Sequence, residues 1–153
     1  MLDITIIAYG KIKDKTWQAA AQEYLKRLRP YARIKIEELK AESFSARNKN
    51  EVKKIEGQRL LERLRGYLGA EIRLLSEMGE EMDSLQLATW LEKPTRKIVL
   101  VIGGTLGFTA EIIKTYQGLS LSRLTFPHEL ARVILLEQIY RAASIIQGKD
   151  YHY

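Results

Sequence analysis

The chain has 153 residues, a formal charge of +6 and no cysteine. That length suits a single domain over 1–153 with a real core, and the missing cysteines exclude disulfides, thiolate metal sites and a cysteine nucleophile. The basic excess suits a polyanion such as RNA without requiring one.

The first residues, MLDITIIAYGKIKDK, lack the basic start and long apolar stretch of a signal peptide. No apolar run reaches the ~20 residues needed to span a bilayer. A soluble, cytoplasmic protein without a membrane partner is therefore expected. Leu2 to Ala8 reads as a strand closed by Gly10. A helix is expected from about Lys15 to Arg29, because Trp17, Ala21, Tyr24, Leu25 and Leu28 share one face. Lys26, Arg27 and Arg29 gather at its end, where cations favour the helix dipole, and Pro30 stops it. Ile34 to Leu39 alternates like a strand. A basic helix over about Glu51 to Tyr67 follows, its mixed charges suiting a solvated face or an RNA surface. Ile72 to Leu75 reads as a short strand, Ser76 to Gly79 as a turn, and Ser84 as the cap of the next helix.

The last third is the most informative. Ile98-Val-Leu-Val-Ile102 is an unbroken, β-branched apolar run, as in a strand buried on both faces of a parallel sheet. Gly103, Gly104 and Gly107 follow at once, then Thr109 as a helix cap and Glu111 in the first turn. Strand, glycine turn and helix form the ligand crevice of α/β proteins at the carboxyl ends of their strands. GGTLG is neither GxGxxG nor a P-loop, so neither a dinucleotide nor a triphosphate site is indicated. A plain β–α turn fits the same residues. The helix is expected from Thr109 to about Gln117, with Gly118 ending it. Leu119 to Pro127 then reads as a short strand and an irregular loop able to offer backbone groups to a flat polar ligand, or a surface connection. The final helix, about His128 to Gln147, is apolar around most of its circumference. Such a helix must be buried on more than one side, which points to a two-fold homodimer.

Taken together, VIGGTLGFT, LSLSRLTFPHELARVILLEQIYRA and the terminal YHY resemble the small bacterial SPOUT-class methyltransferases of the ribosomal large subunit methyltransferase H type. The early EYLKRL and the central LLSEMGEEMDSLQLATWLE extend the resemblance over essentially the whole chain. Strand–helix alternation alone gives an α/β protein with a mainly parallel sheet flanked by helices. The resemblance implies the α/β-knot fold, in which the C-terminal segment threads a loop into a trefoil. It also implies S-adenosylmethionine as cofactor, 23S ribosomal RNA in the ribosome as substrate, and N3 methylation of a pseudouridine.

The resemblance assigns cofactor contacts to Leu75, Gly103, Gly104, Leu121, Ser122, Arg123, Leu124, Thr125 and Phe126. It assigns chemistry to Glu137, Arg141 and His152, and RNA contacts to Arg132, Arg141, Tyr151 and His152. On the residues alone, Glu137 and Arg141 are also a plain helix pair in its favourable order, and the Asp-Tyr-His-Tyr tail is composed for stacking or docking. Two positions depart from the family pattern: Ser76, where an acid is common after the leucine, and Tyr153, where a basic residue is common. No His, Asp or Glu spacing suits a metal. Ser122 and Ser144 lack the GxSxG elbow of a hydrolase triad. The competing expectations are a related enzyme with another RNA target, an RNA-binding module without catalysis, and a small-molecule α/β enzyme.

Overall fold

The computed structural model describes residues 1–93 and 96–151. Five strands form one sheet: β1 (Leu2–Tyr9), β2 (Ala32–Leu39), β3 (Glu71–Glu81), β4 (Ile98–Ile102) and β5 (Gln117–Ser120). Their order is β2-β1-β4-β3-β5 and every pairing is parallel. The helices are α1 (Lys15–Leu28), α2 (Lys49–Leu64), α3 (Ser84–Glu92), α4 (Ala110–Thr115) and α5 (His128–Ile146). A short 3-10 turn, Arg65–Tyr67, extends α2.

The central strand β4 is buried at every residue, as its unbroken apolar run requires. Its alternate side chains face opposite cores. Ile98, Leu100 and Ile102 join Ile4, Ile6, Leu28, Leu91, Leu136 and Ile139 on the side covered by α1, α3 and α5. Val99 and Val101 join Ile7, Tyr9, Leu60, Leu64 and Ile112 beneath α2 and α4. Each fully buried Leu or Ile contributes about 1.5–3 kcal/mol relative to exposure.

Local chemistry sets the boundaries. Asp14 caps α1 by accepting from the backbone N–H groups of Thr16 and Trp17 at 2.9 and 3.0 Å. Asp83, rather than the expected Ser84, caps α3, in a reciprocal box with Gln86. Two further expectations give way around β5. The third strand does not turn at Ser76 but continues to Glu81, and Gly118 lies within a strand instead of ending a helix. Gln117, Gly118 and Leu119 pair with Arg73, Leu74 and Leu75, then the register jumps so that Leu119 also faces Glu80. The intervening bulge folds onto its partner, backbone against backbone. A Cβ on Gly79 would sit 2.5 Å from the Gly118 carbonyl carbon and from the Leu119 nitrogen. Only glycine permits that approach, so the two glycines mark one close contact between the strands rather than two separate turns.

Candidate active site

The sheet register brings the expected cofactor residues together. Leu75 on β3 pairs with Ile102 on β4 and with Leu119 on β5. The residues that follow, Ser76, Gly103 and Ser120 onward, therefore leave the sheet side by side at its carboxyl edge. Gly107, at φ +74°, donates its N–H to the Gly104 carbonyl at 3.0 Å and closes the glycine turn. Thr109 caps α4 as expected, its hydroxyl accepting from the Ile112 N–H. The ring of Phe108 packs against the turn, 3.2 Å from where a Cβ on Gly103 would be.

The Leu121–Phe126 loop is tied to itself and to the bulge. Ser120 donates its hydroxyl to the Ser122 carbonyl at 3.0 Å, and the Leu124 N–H donates to the Ser122 hydroxyl at 3.0 Å. Leu121, Ser122 and Phe126 are half-buried, whereas Arg123, Leu124 and Thr125 are exposed. The Arg123 guanidinium pairs with Glu81, which raises its pKa through that hydrogen bond. A hollow of about 500 Å³ lies between the bulge and the end of α4, lined by Ser76, Gly79, Glu80, Phe108, Lys114 and Gly118, and none of the expected cofactor residues lines it. Leu75 and Phe126 are half-buried.

A second cluster lies on α5 and the tail. Arg141 donates to Glu137 at 2.6 Å and to the Tyr151 carbonyl at 3.3 Å, and its guanidinium lies 5.2 Å from the Tyr151 ring centre. Tyr151 meets Tyr140 edge-on at 4.6 Å, and Tyr140 in turn neighbours Tyr24 and Tyr31. Burial is the first cause that pushes the Tyr151 hydroxyl up to about 12, with a hydrogen bond to Tyr24 adding to it. His152 lies outside the described residues. The aromatic cluster was only partly foreseen. Tyr24 was expected on the inner face of α1, but nothing in its spacing pointed to the tail.

The two clusters stand apart within the chain. At its start α5 is fixed to the carboxyl edge: Glu129 accepts from the Lys13 and Asp14 N–H groups at 2.5 and 3.1 Å. At its end, Ile146 and Gln147 border the same hollow as Leu2, Tyr31 and Ile98, at the amino edge of the sheet. With a 1.5 Å rise per residue, Arg141 is about 20 Å along the axis from His128. That amino-edge hollow is larger, about 660 Å³, and it too holds none of the expected site residues.

Arg132, expected to meet RNA, points inward instead. It is 4% exposed, donating to Glu38 at 3.0 Å and to the Gly10 carbonyl at 2.8 Å, which pins α5 to the ends of β1 and β2. A cation so enclosed needs those internal acceptors and is unavailable to a phosphate. Among the described residues, no group of three or more His, Asp or Glu side chains is placed to hold a metal ion. Among them too, no helix is long and apolar enough to cross a membrane.

Residues 2–152 match the family model described as "Predicted SPOUT methyltransferase". A Kosmotoga olearia protein named ribosomal RNA large subunit methyltransferase H is 40% identical, covering 99% of this chain and 100% of its own. An Acetivibrio thermocellus protein of the same name is 41% identical over 97% of this chain and 98% of its own. Among solved structures, one from Bacillus anthracis superposes with a TM-score of 0.56 at 12% identity, covering 98% of this chain and 99% of its own. A methylase family protein from Haemophilus influenzae superposes at 0.53 and 14% identity, covering 95% of this chain and 66% of its own. These two likenesses concern the fold alone.

Proposed function

This chain belongs to the SPOUT methyltransferase family and is a methyltransferase. On that premise we propose that it transfers a methyl group from S-adenosylmethionine to N3 of a pseudouridine in 23S ribosomal RNA, on the ribosome in the cytoplasm. It would act as a two-fold homodimer of trefoil-knotted subunits. The names of relatives matched over nearly the whole chain support the substrate. The knot follows from the family resemblance alone.

The observation that carries the dimeric site is the separation along α5. The cofactor-side residues stand at one edge of the sheet, and Glu137, Arg141 and Tyr151 lie toward the other. One protomer therefore offers two half-sites. Ile134, Glu137, Gln138, Arg141 and Ile145 form a half-covered stripe at helical spacing on α5. Pairing this stripe antiparallel across a two-fold axis brings the tail of each subunit toward the cofactor loops of the other.

When bound, the cofactor supplies a methyl already activated on a sulfonium. The carbon–sulfur bond breaks as the carbon–nitrogen bond forms, and the N3 proton must leave. The chain's contribution is chiefly positioning. The backbone of Gly103 and Gly104, with Leu75 and Leu121 through Phe126, would hold the cofactor. Arg123 would lie near its carboxylate or a phosphate of the RNA. Arg141 would hold a uracil carbonyl or a phosphate, oriented by Glu137, and Tyr151 would stack on RNA. His152, Glu137 or a water would take the proton, a role worth on the order of 10²–10⁴-fold.

Labelled methyl transfer to ribosomes lacking their own base methylation tests the reading. Mass analysis should find a methylated pseudouridine in the large-subunit RNA. Cofactor binding without such a product would move the target to another RNA, and no cofactor binding would overturn the reading.

A further inference from the structure

Glu56 and Gly57, in the middle of α2, each carry a local penalty. Among the described residues Glu56 is the only buried acid, at 6% exposure. A buried carboxylate is costly unless its oxygens are bonded. Glycine within a helix is destabilising relative to alanine. Two unfavourable choices side by side point to a service rendered outside the helix.

Both residues touch the glycine turn. Glu56 accepts the Glu42 backbone N–H on Oε2 at 3.0 Å, and its backbone carbonyl accepts the Tyr9 hydroxyl at 2.7 Å. Its other oxygen, Oε1, stands 2.9 Å from where a Cβ on Gly104 would lie. Gly57 lets Thr109, the cap of α4, approach so closely that a Cβ there would meet the threonine methyl at 2.8 Å. One dipeptide of α2 thus supports the turn at Gly104 and at Thr109.

We propose that Glu56 is a positioning residue of the cofactor turn, and that position 104 is glycine to make room for the Glu56 carboxylate. The cofactor part of this statement rests on the reading of the site given above. Glu56 touches neither the methyl group nor the base. It fixes the height of the turn, and Gly104→Ala would force the carboxylate off the Glu42 N–H.

A double-mutant cycle tests this on the full chain, reading denaturant stability without ligand and calorimetric binding of S-adenosylhomocysteine. Gly104→Ala alone should lower stability and weaken binding about tenfold, and in a Glu56→Ala background it should change neither further. Equal effects of Gly104→Ala on stability in both backgrounds would overturn the proposal. Glu56→Gln, whose amide carbonyl still accepts the Glu42 N–H, should bind within about twofold of wild type, whereas Glu56→Ala loses about tenfold. Equal loss in both also overturns it. If Glu56→Ala does not fold, Glu56→Asp takes its place: its shorter arm withdraws the carboxylate, so Gly104→Ala should be milder there. A wild-type chain that binds no S-adenosylhomocysteine defeats the cofactor reading and leaves the stability cycle to decide Glu56.

Discussion

The carboxyl edge of the sheet and the far end of α5 solve different problems. The carboxyl edge is built largely from backbone: glycines, serines and a short bulge that follows Leu75, with the Arg123–Glu81 ion pair beside it. The end of α5 is built from side chains, with Arg141, Glu137 and a tyrosine cluster that reaches into the tail. A backbone cradle suits a ligand whose shape is fixed. A guanidinium and a cluster of aromatic rings suit a nucleic acid, whose phosphates and bases must be gripped. On the proposed function, the difference assigns recognition of the cofactor and of RNA to opposite ends of the chain's fold.

Breaking each end should give opposite kinetic signatures. Arg141→Ala should have the largest effect, lowering methyl transfer about 10²-fold at saturating cofactor, with cofactor affinity unchanged. Parallel losses in transfer and cofactor binding would dissolve the distinction. Phe126→Ala should have a smaller effect, weakening S-adenosylhomocysteine about tenfold while leaving ribosome affinity in place. Calorimetry and ribosome co-sedimentation separate the two.

The smallest effect concerns pH. The Tyr151 hydroxyl is raised from its ordinary value near 10 to about 12 by burial. Its folded-state pKa lies above the unfolded one, so the stability it confers is complete below about pH 10 and is lost as pH rises toward 12. Tyrosinate absorbance should show one late-titrating group in that window, and Tyr151→Phe should remove it. A Tyr151→Phe difference spectrum that places the lost titration near 10 instead would contradict the docked tail.

Much of the fold was legible because burial writes itself into sequence. The Ile98–Ile102 run announced the central strand, and Thr109 announced its helix. β5 was hidden because its pairing with β3 is a long-range fact. Gly118 reads as a helix stop until Gly79 is known to lie against it. Arg132 looked like a surface cation because its acceptors, Glu38 and the Gly10 carbonyl, are over ninety residues away. Of the candidate site, the register sets Leu75 beside Ile102 and Leu119, the residues that lead into the glycine turn and the Leu121–Phe126 loop. Glu56 was missed, although a glycine in mid-helix at 57 was the visible signal of a close approach.

The most direct test of a site shared between subunits is complementation. Arg141→Ala and a cofactor-loop variant, Phe126→Asp, would be prepared separately, each deficient in transfer, then mixed and allowed to exchange subunits. If each tail serves the partner's cofactor loops, mixed dimers carry one intact site. Random exchange then restores about a quarter of wild-type activity. If the mixture stays as inactive as its parts although mixed dimers are shown to form, each site is complete within one protomer and the shared-site account is wrong.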